Sequence, residues 1–140
     1  MRILSDGSLA TTQAIAVTII DVSNFLTVTT ATDNNDASIA TGASFNIEWL
    51  NANKGTDGFV SLREAIIAAN NTTGTDTISF GISGTGVKTI SLASALPSIT
   101  DTVIINGYSQ TGASANTLSI GNDAVLNIEL NGTSAGANVD

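Results

Sequence analysis

Three short apolar segments in the second half of the chain decide the fold. They are TISFG at residues 77–81, TVIING at 102–107 and NIELNG at 127–132, so the interval between successive segments is constant. In each segment two apolar residues are separated by one polar or apolar residue, which places both side chains on the same face of an extended strand. These pairs are Ile78 and Phe80, Val103 and Ile105, and Ile128 and Leu130. The interval and the alternation together predict three equivalent strands.

A second series lies between these segments. TISL at residues 89–92 is followed by the similar TLSI at 117–120, after a slightly longer step. Repeats of this length, separated by polar turns instead of helices, indicate a solenoid of stacked parallel strands. Asn106 and Asn131 would then lie one above the other at a corner, with their side-chain amides in a hydrogen-bonded ladder. An antiparallel sandwich with coincidental spacing is the alternative.

Residues Ser61–Asn70 have the pattern of an amphipathic helix. Ser61 and Glu64 are spaced as a capping box, in which each side chain accepts a hydrogen bond from the other residue's backbone N–H. Leu62 and Ile66 lie on one face at helical spacing. The open end of a parallel coil exposes unpaired strand edges and an apolar cross-section. We therefore expect this helix to cover the first coil as a cap.

The first half of the chain contains weaker signals. Residues 13–21 (QAIAVTIID) alternate in the manner of a strand, and Phe25–Thr30 form a second one. The polar segment Thr32–Gly42 is predicted to be a loop. Ser44–Asn53 are predicted to form a short helix that has Ser44 as its N-cap and ends before Gly55.

Composition limits the classes of function. The 140 residues include twelve acidic and four basic residues, for a net charge of −8, and neither cysteine nor histidine. Zinc sites, thiol nucleophiles and Ser-His-Asp triads are therefore absent from this chain. The negative charge repels phosphate backbones and anionic lipids, and no apolar stretch approaches the roughly 20 residues that span a bilayer. We expect no nucleic-acid partner and no membrane insertion.

The acidic residues suggest one metal, calcium, which prefers oxygen ligands. Asp33 and Asp36 flank a polar loop that lacks the glycine and distal glutamate of an EF-hand, and Asp57 lies in a glycine-containing turn. Asp76 and Asp101 each precede an apolar segment, separated by the same interval as the segments themselves. They are predicted to share a coil corner, where their side chains accept backbone N–H groups or bind a cation.

Catalysis by a β-helix hydrolase or lyase needs carboxylates, or a carboxylate with a basic residue, converging on a groove. Glu129 lies inside a predicted strand, Arg63 in the cap helix and Lys88 at the start of a strand. No spacing brings these three together. We therefore assign no catalytic, cofactor-binding or metal residues, with calcium as the only cofactor that the acidic loops leave open.

The sequence around the cap helix resembles a known family. VSLREAI at residues 60–66, DTISF at 76–80, ALPSIT at 95–100 and VIINGYSQ at 103–110 are similar to the SLREAI-type N-terminal motif of bacterial right-handed parallel β-helix surface and secreted proteins. The resemblance implies a mainly β fold, the N-terminal part of a right-handed parallel β-helix with a short capping α-helix, at the cell surface or outside the cell. Many members have cysteine where this chain has Val60, which removes any redox role.

Residues 7–24 resemble the last strand of a cadherin-like or immunoglobulin-like repeat. The calcium-binding Asp-x-Asn-Asp stretch of such repeats is incomplete here, since only Asp21 matches its first position. The resemblances imply three parts. Residues 1–24 are the remnant of such a repeat or a donated strand, residues 25–60 are a connection of strand, loop and possible short helix, and residues 61–140 are the cap helix and first coils.

Three functions follow as hypotheses. The first is a non-catalytic structural module of a bacterial extracellular surface or adhesin-like protein. The second is a subunit of a self-assembling extracellular filament, joined by strand exchange or coil stacking. The third is the N-terminal part of a carbohydrate-active β-helix enzyme. The expected partners are further coils of the same chain or neighbouring copies of it.

Overall fold

The computed structural model describes residues 24–37 and 44–136, and every structural statement below concerns these residues. The elements described in full are five short strands, two α-helices and a 3₁₀ turn. The elements in chain order are β1 (Phe25–Val28), α1 (Ile47–Ala52), α2 (Leu62–Asn70), β2 (Asp76–Phe80), β3 (Lys88–Ser91), β4 (Val103–Asn106), the 3₁₀ turn (Gly107–Ser109) and β5 (Ile128–Asn131). The strand predicted at residues 13–21 lies outside the described residues.

The strands form two small sheets in which every pair of named strands is parallel. The first sheet has the order β1-β2-β4 and the second pairs β3 with β5. Parallel pairing requires a crossover between partners, and here the crossovers are irregular segments and the helical region of residues 44–70. The exception is an isolated antiparallel bridge between Ser114 and Val125, which lies outside the named strands.

The register predicted from the constant interval is wrong. Ile78 pairs with Ile105 and not with Val103. Ile128 pairs with Lys88 in the second sheet and not with the first two segments. A shift from Val103 to Ile105 leaves the same side chains on the inner face, because the side-chain period of a strand is two. The apolar pattern therefore could not distinguish the two registers.

The second predicted series also fails. Residues 117–120 form no strand, and Ile120 is 91% exposed. Asn106 and Asn131 lie in different sheets, opposite Ser79 and Ser91, so they form no ladder. Instead, each accepts the backbone N–H two residues further on, that of Tyr108 (3.1 Å) and of Thr133 (3.0 Å). The segments that end at Asn106 and at Asn131 have similar sequences because both end in the same kind of Asx turn.

The predicted cap helix is present, and its capping box is confirmed. The Ser61 Oγ accepts the Glu64 N–H (3.2 Å), and the Glu64 carboxylate accepts the Ser61 N–H (3.0 Å). Leu62, Ala65 and Ile66 on α2 are buried. The helix contacts β1, β2 and α1, so it packs over the β1 end of the first sheet.

The first half of the chain differs from expectation in detail. The strand predicted at Phe25–Thr30 is β1 and ends at Val28. The short helix α1 begins after Asn46, not Ser44, because the Asn46 Oδ1 accepts the Trp49 N–H (2.9 Å). Of the predicted loop, residues 32–37 are described and contain neither helix nor strand.

One hydrophobic cluster joins the sheets and the helices. The inner faces of the strands contribute Leu26, Val28, Ile78 and Ile90, all at most 1% exposed. Burial of such side chains contributes about 1.5–3 kcal/mol each. The remaining members are Phe80 at the end of β2 and side chains of the helices and of the segments between and after the strands: Ala37, Phe45, Ile47, Leu50, Val60, Leu62, Ala65, Ile66, Ala68, Ala69, Ile82, Leu92 and Ala135.

Candidate functional site

An apolar concavity lies where the core reaches the surface beside β4 and β5. It is a groove of about 350 Å³, called here the open end. Ile105 and Leu130, on the inner faces of the last strand of each sheet, are 42% and 51% exposed. The groove is lined by Leu62, Ile66, Phe80, Leu96, Pro97, Ile99, Ile105, Gly107, Ile128 and Leu130.

The open end combines apolar side chains with unpaired strand edges. In the described part of the chain, β4 pairs only with β2, and β5 pairs only with β3. The outer edges of both strands therefore present backbone N–H and C=O groups that no named strand pairs with. Among the described residues, none that lines the groove is charged, although the chain carries a net charge of −8. This surface can accept an extended polypeptide, because it offers both apolar contacts and main-chain hydrogen bonds.

The β1 side of the first sheet is covered. The Asn51 Nδ2 of α1 donates to the Phe25 carbonyl (3.1 Å). Just beyond the strand, the Thr29 N–H donates to the Val60 carbonyl (2.9 Å), and the Val60 N–H donates to the Thr29 Oγ1 (2.9 Å). The two ends of the molecule thus differ, since one is covered by helices and loops and the other is open.

Six residues that line the open end belong to apolar faces predicted from the sequence, but the lining residues between β3 and β4 were not predicted. Leu96, Pro97 and Ile99 lie in the segment between β3 and β4, which has no period that predicts an inner face. The one available signal is the presence of apolar residues within an otherwise polar turn. Their role depends on how the segment folds back over α2, which the spacing does not specify.

Asp33, which was considered as a calcium ligand but not assigned as one, forms an ion pair. Its carboxylate accepts two hydrogen bonds from Arg63, from Nε (2.9 Å) and from the second terminal nitrogen (2.7 Å). It also accepts the Ala93 N–H (2.9 Å). Arg63 donates further to the carbonyls of Ser94 and Ala95. This bidentate pair joins the loop, α2 and the segment after β3.

Asp36 has a local structural role. Its Oδ2 accepts the backbone N–H groups of Thr56 (2.7 Å) and Asp57 (2.9 Å) and the Thr56 hydroxyl (2.7 Å). These bonds lower the pKa of Asp36 below its usual range. Gly55, at φ +76°, permits this approach, because a Cβ there would lie 2.8 Å from the Ala37 nitrogen. Asp57 accepts the Phe59 N–H in the same turn.

Asp76 and Asp101 differ from each other. Asp76 lies opposite Val103, and its side chain is inaccessible, with neither carboxylate oxygen hydrogen-bonded. Burial, together with the charge of Asp101, raises its pKa. Asp101 instead accepts the Thr102 N–H (2.7 Å). The predicted backbone hydrogen bond therefore exists at Asp101 and not at Asp76.

Glu64 is a second buried carboxylate, but its oxygens have partners. Besides Ser61, it accepts the Ala37 N–H (2.8 Å), which ties the loop before residue 38 to the start of α2. Burial is the main cause that raises the pKa of Glu64, and its hydrogen bonds oppose that change. A carboxylate that accepts two backbone N–H groups in this way has a structural role at a helix start.

The three residues considered for catalysis have separate partners. Glu129 lies on the outer face of β5 and accepts the Thr89 hydroxyl (2.6 Å). Lys88 pairs with Ile128 in the ladder, on the opposite face from Glu129, and its Nζ donates to the Thr85 carbonyl (2.9 Å). Arg63, on α2, forms an ion pair with Asp33 of the loop after β1. These three residues therefore form no carboxylate–base pair on a common groove.

The segment between the 3₁₀ turn and β5 forms a compact exposed loop. Asp123 accepts the N–H and the hydroxyl of Thr117 (2.7 and 2.6 Å), and Asn116 accepts the Asp123 N–H (2.9 Å). The hydrogen bonds to Thr117 are the main reason that the pKa of Asp123 lies below its usual range. Leu118 and Ile120 are exposed at this loop.

Two kinds of feature are missing from residues 24–37 and 44–136. No group of three or more acidic, histidine or cysteine side chains among them is arranged to hold a metal ion. No helix among them is long and apolar enough to cross a membrane. Asp21, the remaining calcium candidate, lies outside these residues. The chain matches no protein-family model, and neither a curated protein nor a solved structure shows significant similarity to it.

Proposed function

We propose that this chain is a non-catalytic structural module of a bacterial extracellular surface or adhesin-like protein, built as the first coils of a right-handed parallel β-helix. The observation that carries the proposal is the parallel ladder of β1, β2 and β4, covered by helices on the β1 side and open beside β4. Parallel crossovers in one sheet are right-handed in almost all proteins. A helix over the first strand is the expected cap of such a solenoid.

The placement of the polar side chains supports a structural role. The best-connected charged groups, Arg63, Asp33 and Glu64, bond to backbone groups of distant segments, so they hold loops against α2. None of them lines the apolar groove. A catalytic groove would instead need ionisable side chains that converge on it. The observations therefore favour a rigid support over the enzyme hypothesis.

Only the open end of the molecule supports the filament hypothesis. The free edges of β4 and β5 are suited to strand addition. Coil stacking into an open filament also needs a matching free edge at the other end. There, Asn51 and Val60 already bond to backbone groups in and next to β1, so head-to-tail stacking would require them to move.

Immunogold labelling of the source cells, with antibodies raised against the folded chain, tests the surface role. We expect label on the outer face of the cells, removed by external protease. The matched control is an antibody against a cytoplasmic protein. Its label should lie inside the cells and should not change after treatment with external protease. Label confined to the cytoplasm would contradict the proposal. Degradation of a polysaccharide by the purified chain would favour the enzyme instead.

A further inference from the structure

The pairing of β2 with β4 stops before β2 itself ends. The last pair in register is Ser79 with Asn106, after which the chain of β4 enters the 3₁₀ turn. Phe80 and Ile82 are buried at this point, with exposures of 4% and 7%. Buried backbone N–H and C=O groups need hydrogen-bond partners, and the β4 ladder no longer supplies them.

The other side of the same segment keeps its backbone partner. The Gly81 N–H donates to the Val28 carbonyl of β1 (2.9 Å). Because the backbone groups of successive residues in an extended segment point to opposite edges, the groups of Phe80 and Ile82 face the β4 side. The question is therefore what satisfies these two residues where β4 has turned away.

Two consecutive side chains at the end of the 3₁₀ turn supply the hydrogen bonds. The Ser109 Oγ accepts the Phe80 N–H (2.6 Å) and donates to the Asn106 carbonyl (2.6 Å). The Gln110 Oε1 accepts the Ile82 N–H (2.9 Å), and the Gln110 Nε2 donates to the Ile82 carbonyl (2.8 Å). A side-chain amide has the same donor and acceptor as a peptide group, so Gln110 takes the place of a neighbouring strand.

The position of Gln110 is fixed by the turn that precedes it. Its N–H donates to the Gly107 carbonyl (3.4 Å), and its carbonyl accepts the Ala113 N–H (2.9 Å). The Asn106 Oδ1 accepts the Tyr108 N–H, which starts the turn. The Gln110 side chain is 2% exposed, although glutamine lies mostly at protein surfaces. Its burial is explained by the two hydrogen bonds to Ile82.

We propose that Ser109 and Gln110 form a side-chain clasp that ends the first sheet at this corner and closes the edge after Ser79 to other strands. An edge with unpaired backbone groups can accept a strand from another chain. Here an incoming strand would have to displace two side chains, one of which is buried. The clasp is separate from the outer edges of β4 and β5, which it does not cover.

The first experiment measures amide hydrogen exchange of the full chain by NMR. Gln110→Met keeps a side chain of similar length but removes its N–H donors and its carbonyl acceptor, so the Ile82 N–H should exchange about tenfold faster or more. The Phe80 N–H should change much less. Rates are compared with that of Ile90 in β3, whose pairing with β5 the substitution does not touch. Unchanged protection of Ile82 relative to Ile90 would overturn the proposal.

Ser109→Ala tests the other half of the clasp. Ser109 is exposed, so the variant is expected to fold even if the substitution at Gln110 prevents folding. The pattern should reverse, with faster exchange at the Phe80 N–H and little change at Ile82. Equal acceleration at both amides in Ser109→Ala would show that the turn opens as a unit and that the side chains do not each hold one backbone group.

A second experiment tests whether the clasp closes the edge. Gln110→Met should aggregate several times faster than Ser61→Ala, followed by light scattering at temperatures at which the two variants have equal unfolded fractions. Ser61→Ala is the matched control, because it removes the helix cap and leaves the clasp intact. Equal rates would show that lost stability alone causes aggregation and would overturn the edge-closing role. The surface role is tested separately by the labelling experiment.

Discussion

At the start of β2, the Asp76 side chain lies on the same face as Ile78 and Phe80 and is inaccessible to solvent. Neither of its oxygens is hydrogen-bonded, and the charge of Asp101 adds to the effect of burial, so its pKa is raised. A folded-state pKa above the unfolded value means that the folded state binds the proton more tightly. The associated stabilisation is complete below the unfolded pKa and is lost as pH rises through the folded pKa.

This linkage predicts the effect of removing the charge. Asp76→Asn should raise the free energy of unfolding by about 1 kcal/mol at neutral pH, because asparagine has no charge to bury. The difference should vanish below about pH 3, where aspartate is protonated in both states. Urea unfolding over this pH range measures it. Asp101→Asn retains an acceptor for the Thr102 N–H. It should also raise the free energy of unfolding at neutral pH, but by less than Asp76→Asn. An Asp76→Asn variant that is destabilised at neutral pH would show that the carboxylate has a partner.

At the scale of elements, α2 depends on its first turn. The Ser61 hydroxyl both accepts the Glu64 N–H and donates to the Asn34 carbonyl (2.6 Å), and Glu64 holds the Ala37 N–H. The capping box therefore starts the helix and also fixes the preceding loop against it. The sequence predicted the first of these roles from spacing alone. The second depends on a contact with a distant part of the chain, which no local pattern specifies.

Loss of the cap should be measurable. Ser61→Ala removes both hydrogen bonds of the hydroxyl and should lower the free energy of unfolding by about 1–2 kcal/mol. Amide hydrogen exchange in the first turn of α2 should accelerate in parallel. Ser61→Thr retains an oxygen at the same position and should cost clearly less than alanine. Equal losses for the two variants would indicate that packing around the buried side chain, and not capping, determines the effect.

At the scale of the whole molecule, stability should decrease from the covered end to the open end. The central strand β2 is paired on both sides and buried, whereas β5 is paired on one side and largely exposed. Stacked architectures gain stability from neighbouring units, so the last unit has the fewest contacts. Opening of local segments follows burial and contact density.

Native-state hydrogen exchange of the chain tests this gradient. The slowest amides should be those of Leu26, Ile78 and Phe80, and the amides of β5 and of the loop at residues 111–127 should exchange about tenfold faster or more. Uniform protection across both sheets would contradict an order of stability along the stack.

The two series of similar segments show why the pairing of the strands could not be predicted from the sequence. The apolar alternation located β2, β4 and β5 as strands, but Ile128 pairs with Lys88 and not with the β4 segment. Pairing of parallel strands depends on where each crossover delivers the chain, and the connecting segments differ in length. Short strands with a period of two fit several partners equally well.

The amino-acid sequence by itself determined the local features of this protein: the capping box of α2, the positions of β1, β2 and β4, and the absence of cysteine and histidine chemistry. The capping box and the strand positions follow from patterns of residues close in the chain, and the absence of cysteine and histidine chemistry follows from composition. Tertiary structure alone decided the register, the separation of β5 into a second sheet, the Arg63–Asp33 pair and the uncharged groove at the open end. Each of these joins segments that are distant in the chain, and their meeting depends on packing of the whole core.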